Sequence, residues 1–129
     1  MIQNCELRPG ASIGAIKALV AQYPCFPEMH ISMLIESNGF EGFVGESYVQ
    51  MWAAEEVIEC NQGYHVDEFA PGVVLVGTNL GGEGFAIDMR AVGCPYVNIP
   101  MCPLSLEDLR PIGITLEECL KTLHRGLFD

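Results

Sequence analysis

The chain has 129 residues, half of them hydrophobic, and this length and composition predict a single domain that spans residues 1–129. It carries 17 acidic and 6 basic residues, for a formal net charge of −11. This excess disfavours nucleic acid as a partner, because proteins bind phosphate backbones through Lys and Arg. The apolar runs fall short of the roughly 20 residues that span a bilayer, and the N-terminal residues lack the features of a signal peptide. We therefore expect a cytoplasmic protein that has no membrane partner.

The six cysteines are spread along the chain, and none forms a CxxC pair with another. Structural zinc sites are usually built from such close pairs, and disulfides are rare in the cytoplasm. We therefore expect reduced cysteines and neither a metal nor another cofactor.

The first half of the chain predicts two helices. Apolar residues at helical spacing indicate a helix from about Ser12 to Gln22. Pro27 suits the first turn of a second helix, which should end at Asn38 or Gly39 with a left-handed cap. The inner face of this second helix would carry three aliphatic residues: Ile31, Leu34 and Ile35.

Strands and further helices are expected after residue 39. The segment FEGFVGESYVQMW predicts one or two short strands that end near Trp52, and AAEEVIECN predicts a third helix. Three more strands are indicated by GVVLVGTN, FAIDM and YVNIPM. Thr115 and Glu118 fit a capping box at the start of a C-terminal helix. These blocks predict an α+β fold, with a mainly antiparallel or mixed sheet of about five or six strands flanked by N-terminal helices and a C-terminal helix.

The glycine-rich segment GTNLGGEGFAIDMR, from Gly77 to Arg90, could in principle bind a phosphate or a metal ion. A phosphate-binding loop would need a lysine after its last glycine, and the dinucleotide motif would need a third glycine where Ile87 stands. A calcium loop would need several acids, and Glu83 is the only acid inside the turn. A β-hairpin whose glycines supply positive φ angles is the remaining interpretation.

Four segments, in order, resemble the SUKH superfamily, which includes the fungal Smi/Knr cell-wall regulators and many bacterial proteins. PGVVLVGTNLGGEGFAIDMR resembles the central signature, and FPEMHISMLIESNGFEG and MWAAEEVIECNQGY resemble the two preceding segments. IPMCPLSLEDLRPIGITLEECLKTL resembles the tail of the family. The resemblance in the central signature is carried by Pro71, Gly72, Gly77, Thr78, Asn79, Gly81, Gly82, Glu83 and Asp88. Further positions that carry it are Pro27, Asn38, Gly39, Trp52, Asn61 and Tyr64.

Two residue pairs could suggest chemistry. A cysteine such as Cys60 and a histidine such as His65 can act as a nucleophile and its base. These two are five residues apart across an expected helix end, so we do not expect their side chains to be in contact. His65 and Asp67 could bind a metal ion, but they lack further ligands nearby. Neither pair predicts catalysis, and the resemblance implies none.

Other candidate residues are assigned by their types. Asp88 would be a buried acid tied to turn amides or to Arg90, and Trp52 would fill the core beside the sheet. Five acids form either a solvated face or a docking patch for a partner: Glu55, Glu56, Glu59, Asp67 and Glu68.

The resemblance to the SUKH superfamily implies a protein that acts by binding other proteins. Bacterial members resemble immunity proteins that neutralise a cognate toxin, so we expect a partner that is a basic toxin domain. A regulatory or scaffold module is the alternative that the fungal relatives imply. A small enzyme or ligand-binding domain with a cleft beside the glycine turn is a third, more distant hypothesis. The oligomeric state is not indicated by the sequence.

Overall fold

A computed structural model describes residues 2–126, so that residue 1 and residues 127–129 of the predicted domain lie outside the described part. The described residues form one sheet of seven strands, in which each strand pairs antiparallel with the next strand in the chain. The strands are β1 (Cys5–Leu7), β2 (Phe40–Val44), β3 (Ser47–Met51), β4 (Val73–Thr78), β5 (Glu83–Asp88), β6 (Tyr96–Pro100) and β7 (Arg110–Gly113). The α-helices are α1 (Ile13–Gln22), α2 (Glu28–Glu36), α3 (Ala54–Gly63), α4 (Val66–Phe69) and α5 (Leu116–Arg125). Within residues 2–126 no helix has the length and apolarity needed to cross a membrane.

The α+β class and the antiparallel sheet are confirmed, but the predicted number of five or six strands is too low. The two strands that sequence reasoning missed are the edge strands β1 and β7. β1 has three residues, which is too short to show an alternating pattern. β7 contains Pro111, which argues against a central strand but is tolerated at a sheet edge because it lacks an N–H donor.

The predicted helices are present, and the starts of α1 and α5 agree with the capping signals. The Ser12 hydroxyl accepts a hydrogen bond from the Ala15 N–H at the start of α1, and Thr115 plays the same part for α5. The predicted end of α2 is wrong, because α2 ends at Glu36 and its C-cap Ser37 has an extended backbone instead of a left-handed cap at Asn38 or Gly39. The predicted inner face of α2 is wrong at one position, because Ile35 is 56% exposed. His30 is fully buried instead, because it lies on the side of α2 that faces the sheet and contacts Tyr96.

One face of the sheet is covered by helices. Side chains of strand-paired residues point to the same side, and the buried side chains on this side include Phe40, Met51, Phe85, Ile87 and Tyr96. α2 covers them where His30 meets Tyr96, and α5 covers them where the Ser47 hydroxyl donates to the Leu123 carbonyl. This side is called the helical face below.

The opposite face is covered over only part of its width. Over β4–β6 it packs against the segment 101–109, and a Cβ atom at Gly84 would lie 3.0 Å from the Met101 side chain. Over β1–β3 the same face meets solvent, since Phe43 is 56% exposed and Glu6 is exposed. We call this uncovered area the open face. Its members are Glu6, Glu41, Phe43, Tyr48 and Gln50.

Candidate functional site

The glycine-rich segment is the hairpin that its sequence predicts, with a turn at residues 79–82 between β4 and β5. Two side chains of the signature close the turn. The Asn79 Oδ1 atom accepts from the Gly81 N–H at 2.7 Å and the Glu83 N–H at 3.1 Å. The Thr78 hydroxyl accepts from the Leu80 N–H and donates to the Glu83 carbonyl. These turn amides therefore already have acceptors within the chain.

The glycines of this segment serve different purposes. Gly82 has a φ of 95°, which other residues rarely adopt. Gly77 lies at a β-bulge, where a Cβ atom would come within 2.5 Å of the Gln50 carbonyl oxygen. Glu83 leaves the turn and accepts a hydrogen bond of 2.7 Å from the Asn98 side chain. The segment is thus a close-packed hairpin, and its signature residues hold the sheet together.

Asn61 joins helix α3 to strand β4. Its amide nitrogen donates to the carbonyls of Val57 at 2.6 Å and Leu75 at 2.9 Å, and its oxygen accepts from the Leu75 N–H at 2.9 Å. β3 pairs with β4 at residues 77 and 78, so β4 has no strand partner on this side at Leu75. The buried Asn61 side chain replaces the missing strand, which explains the asparagine in the tryptophan-headed segment.

Asn38 fixes the start of α3. Its oxygen accepts from the Ala54 N–H at 2.8 Å, and its nitrogen donates to Glu55 at 2.9 Å. Glu56 also serves this helix end, since its carboxylate accepts from the Ala53 N–H at 2.8 Å and pairs with Arg8 at 2.9 Å. Because the first N–H groups of a helix lack intrahelical acceptors, these contacts stabilise α3.

Asp88 makes the contact with Arg90 that the sequence predicts. Its Oδ1 atom accepts from the Arg90 N–H at 3.0 Å and from Arg90 Nε at 2.9 Å. The Arg90 guanidinium beside it holds the pKa of Asp88 below its ordinary value. Trp52 is buried, as predicted, and its indole N–H donates to Gln50 at 3.0 Å. Both side chains are thus held by hydrogen bonds within the chain.

The predicted acidic patch is divided by the structure. Glu55 and Glu59 lie on the exposed side of α3, while Glu56 is half-buried and held by Arg8. Asp67 and Glu68 are exposed on α4, beyond the C-terminal end of α3. A helix of 10 residues is about 15 Å long, so Glu55 and Glu68 lie near opposite ends of this surface. Glu59, Asp67 and Glu68 make no ion pair within residues 2–126.

Cys60 and His65 lack the environment of a catalytic pair. Burial is the largest cause that raises the pKa of the Cys60 thiol, whereas a nucleophilic cysteine needs a lowered pKa. His65 is the left-handed residue, with a φ of 52°, at which the chain turns from α3 into α4. In residues 2–126 no three His, Cys, Asp or Glu side chains cluster as metal ligands. All six cysteines are free thiols.

Sequence reasoning missed a buried polar pair beneath α2. His30 Nδ1 lies 2.9 Å from the Tyr96 hydroxyl, and the His30 ring packs edge-on against Phe26. The other ring nitrogen, Nε2, has no hydrogen-bond partner within the described residues. Burial lowers the pKa of His30 to about 3, so the imidazole is neutral at pH 7. The sequence contained one signal of this pair, because His30 is a polar residue in a helix whose inner face is otherwise apolar.

A cavity of about 360 Å³ opens between the ends of α1 and α3 and the start of β4. Its walls include Tyr23, Val66, Val73 and Met89, with Asp67 at the edge. The turn at residues 79–82 is at the far end of β4, so this is not the cleft beside the glycine turn that the third hypothesis required. Burial raises the pKa of Tyr23, and the negative charge of Asp67 adds to this effect.

Most of the signature residues therefore hold the fold together, although Tyr64 is 45% exposed. Carboxylates without an ion pair in the described residues include those on the acidic side of α3 and α4 and on the open face. The resemblance to the SUKH superfamily stays a prediction that rests on the motifs. A scan against protein-family models found no family that matches this chain, and a search of curated proteins found no match.

Proposed function

We propose that this chain is a non-catalytic protein-binding domain of the SUKH type, which acts in the cytoplasm as an immunity protein that captures and neutralises a basic toxin domain. One observation carries the proposal: the polar side chains of the motifs are used inside the fold, while unpaired carboxylates cover the surface. Asn38, Asn61 and Asp88 each bond to neighbouring parts of the chain. A catalytic site would instead need polar groups that converge on a substrate.

Charge supports a basic partner. The chain carries a net charge of −11, and Glu59, Asp67 and Glu68 lack ion-pair partners in the described residues. Such a surface attracts a positively charged protein and speeds its association. A toxin that acts on nucleic acid would have a basic surface of this kind, because it must bind phosphates.

Co-expression tests the proposal in cells. The product of the gene immediately upstream is expressed in a bacterial host from an inducible promoter, with or without this chain. We expect that protein alone to stop growth and this chain to restore it. The exchange of Glu59 and Glu68 for Lys should weaken the rescue, and Glu36→Lys with Glu107→Lys serves as a control that changes the net charge equally. A neighbour that is harmless, or growth that this chain does not restore, would contradict the immunity function and favour the regulatory alternative.

A further inference from the structure

The open face combines two aromatic rings with carboxylates that face solvent. Phe43 on β2 is paired in register with Tyr48 on β3, and their rings meet edge to face with centroids 5.1 Å apart. In the neighbouring row across the strands, Glu41 lies between Glu6 on β1 and Gln50 on β3. Aromatic residues on an exposed sheet face are typical of binding surfaces, since their rings offer large contact areas at low entropic cost.

The Glu41 carboxylate is held in one position by its neighbours. Its Oε2 atom accepts from the Tyr48 hydroxyl, and its Oε1 atom accepts from Gln50 Nε2 at 3.1 Å. Gln50 is held in turn by the Trp52 indole N–H. These hydrogen bonds, with that from Tyr48 the largest, lower the pKa of Glu41, so the group is an anion. Each carboxylate oxygen accepts one of these hydrogen bonds and can accept another.

Like charges stand opposite each other on this face. Glu6 and Glu41 are direct cross-strand partners, an arrangement that destabilises an antiparallel sheet unless a cation lies near. The positive charge of Arg8 acts on Glu41 from a distance, but its guanidinium is bonded to Glu56 at 2.9 Å and makes no ion pair with Glu6 or Glu41. A second copy of the chain would add another net charge of −11 and would not relieve the repulsion.

We propose that the open face binds an arginine side chain of the protein partner, with its guanidinium on the Glu41 carboxylate and its planar group against the Phe43 and Tyr48 rings. Arginine fits better than lysine here, because its flat fork of donors matches a carboxylate and stacks on aromatic rings. The inference rests on the proposed function and names the partner group and the surface that takes it.

A short peptide tests the site without the partner. The probe is N-acetyl-arginyl-arginine amide, titrated into the ¹⁵N-labelled full chain and followed by NMR, with the peptide that carries citrulline in place of arginine as a neutral isostere. We expect saturable shifts of the Gln50 side-chain amide and the Trp52 indole N–H, and no such shifts with the citrulline peptide. Trp52 is the single tryptophan, so its indole signal is unambiguous.

Matched variants separate this site from general attraction to an acidic protein. Phe43→Ala should weaken peptide binding about threefold, the loss expected from one exposed cation–π contact. Glu41→Gln should weaken it about as much, the loss expected from one exposed ion pair. The control Phe69→Ala removes a phenyl ring of similar exposure, 57% against 56%, and Glu107→Gln removes an equal charge elsewhere. These controls should leave the affinity unchanged.

Shifts that spread over the acidic side of α3 and α4, or equal losses in the control variants, would overturn the inference. This result would leave the proposed immunity function untouched, because the co-expression experiment tests that function separately. Saturable peptide binding at the open face by a chain that rescues no cell would keep the site and remove the immunity function.

Discussion

The structural role of a single residue can be predicted from the sequence only when its partner lies nearby in the chain. The sequence motif includes Asn61 but does not indicate its role. That role depends on the point where the pairing of β3 with β4 ends, which no local pattern reveals. Asp88 was predictable because its partner Arg90 is two residues away. His30 was not, because its partner Tyr96 is 66 residues distant.

Asn61→Ala should strongly destabilise the chain. It would leave the buried N–H and carbonyl of Leu75 without partners, and such groups cost about 1–3 kcal/mol each, so we expect a loss of about 3 kcal/mol. Urea unfolding followed by Trp52 fluorescence measures it. Gln62→Ala, at the exposed neighbouring position, is the control. A loss for Asn61→Ala no larger than that of the control would show that the helix-to-strand bond is dispensable.

His30 should make the stability of the chain fall as the pH falls. Its pKa is about 3 in the folded chain and about 6.5 when unfolded, so the unfolded chain binds the additional proton between these values. Above pH 6.5 the imidazole is neutral in both states, and below it protonation of the unfolded chain alone lowers the stability progressively down to about pH 3. The slope of unfolding free energy against pH between 5 and 6 should decrease in His30→Phe and remain in Tyr96→Phe, which keeps the buried imidazole. An unchanged slope in His30→Phe would contradict this assignment.

At the scale of elements, the sequence predicted what is local and missed what depends on distant contacts. The starts of α1 and α5, the hairpin at residues 77–89 and the inner strands follow from capping residues, glycines and alternation, whereas the end of α2 and the four-residue helix α4 do not. The edge strands β1 and β7 do not, because pairing with a neighbour rather than their own pattern makes them strands. The sequence does not predict the open face for the same reason. This face forms only because β1, β2 and β3 pair side by side and no helix covers this side of them.

The docking of α5 on the β2–β3 turn can be tested at one glycine. Gly45 has a φ of 57°, and a Cβ atom there would lie 2.3 Å from the His124 carbonyl oxygen. Gly82 also has a positive φ, 95°, but a Cβ atom there would meet nothing within 4 Å. Gly82→Ala should therefore cost about 1–2 kcal/mol from backbone strain alone. Gly45→Ala should cost at least about 2 kcal/mol more, because the helix must also move. Equal losses of unfolding free energy in the two variants would mean that the contact between α5 and the turn adds little.

The whole molecule combines a close-packed sheet with two surfaces whose carboxylates include several without an ion pair in the described residues, the acidic side of α3 and α4 and the open face. The acidic side of α3 and α4 would attract a partner over a distance, and the open face would hold it at short range. Attraction between exposed charges acts over about 8 Å at physiological ionic strength and about 3 Å at 1 M salt, so the first contribution should be sensitive to salt.

We propose that this chain captures a basic protein through the acidic side of α3 and α4. The most direct measurement is the association rate constant with the product of the upstream gene, taken by surface binding across a salt series. We expect fast association that slows severalfold as salt rises, and a further severalfold slowing when Glu59 and Glu68 are both changed to Lys. Glu36→Lys with Glu107→Lys changes the net charge by the same amount and should slow association less. An association rate that is independent of salt, or equal slowing by the two double variants, would contradict capture by this surface.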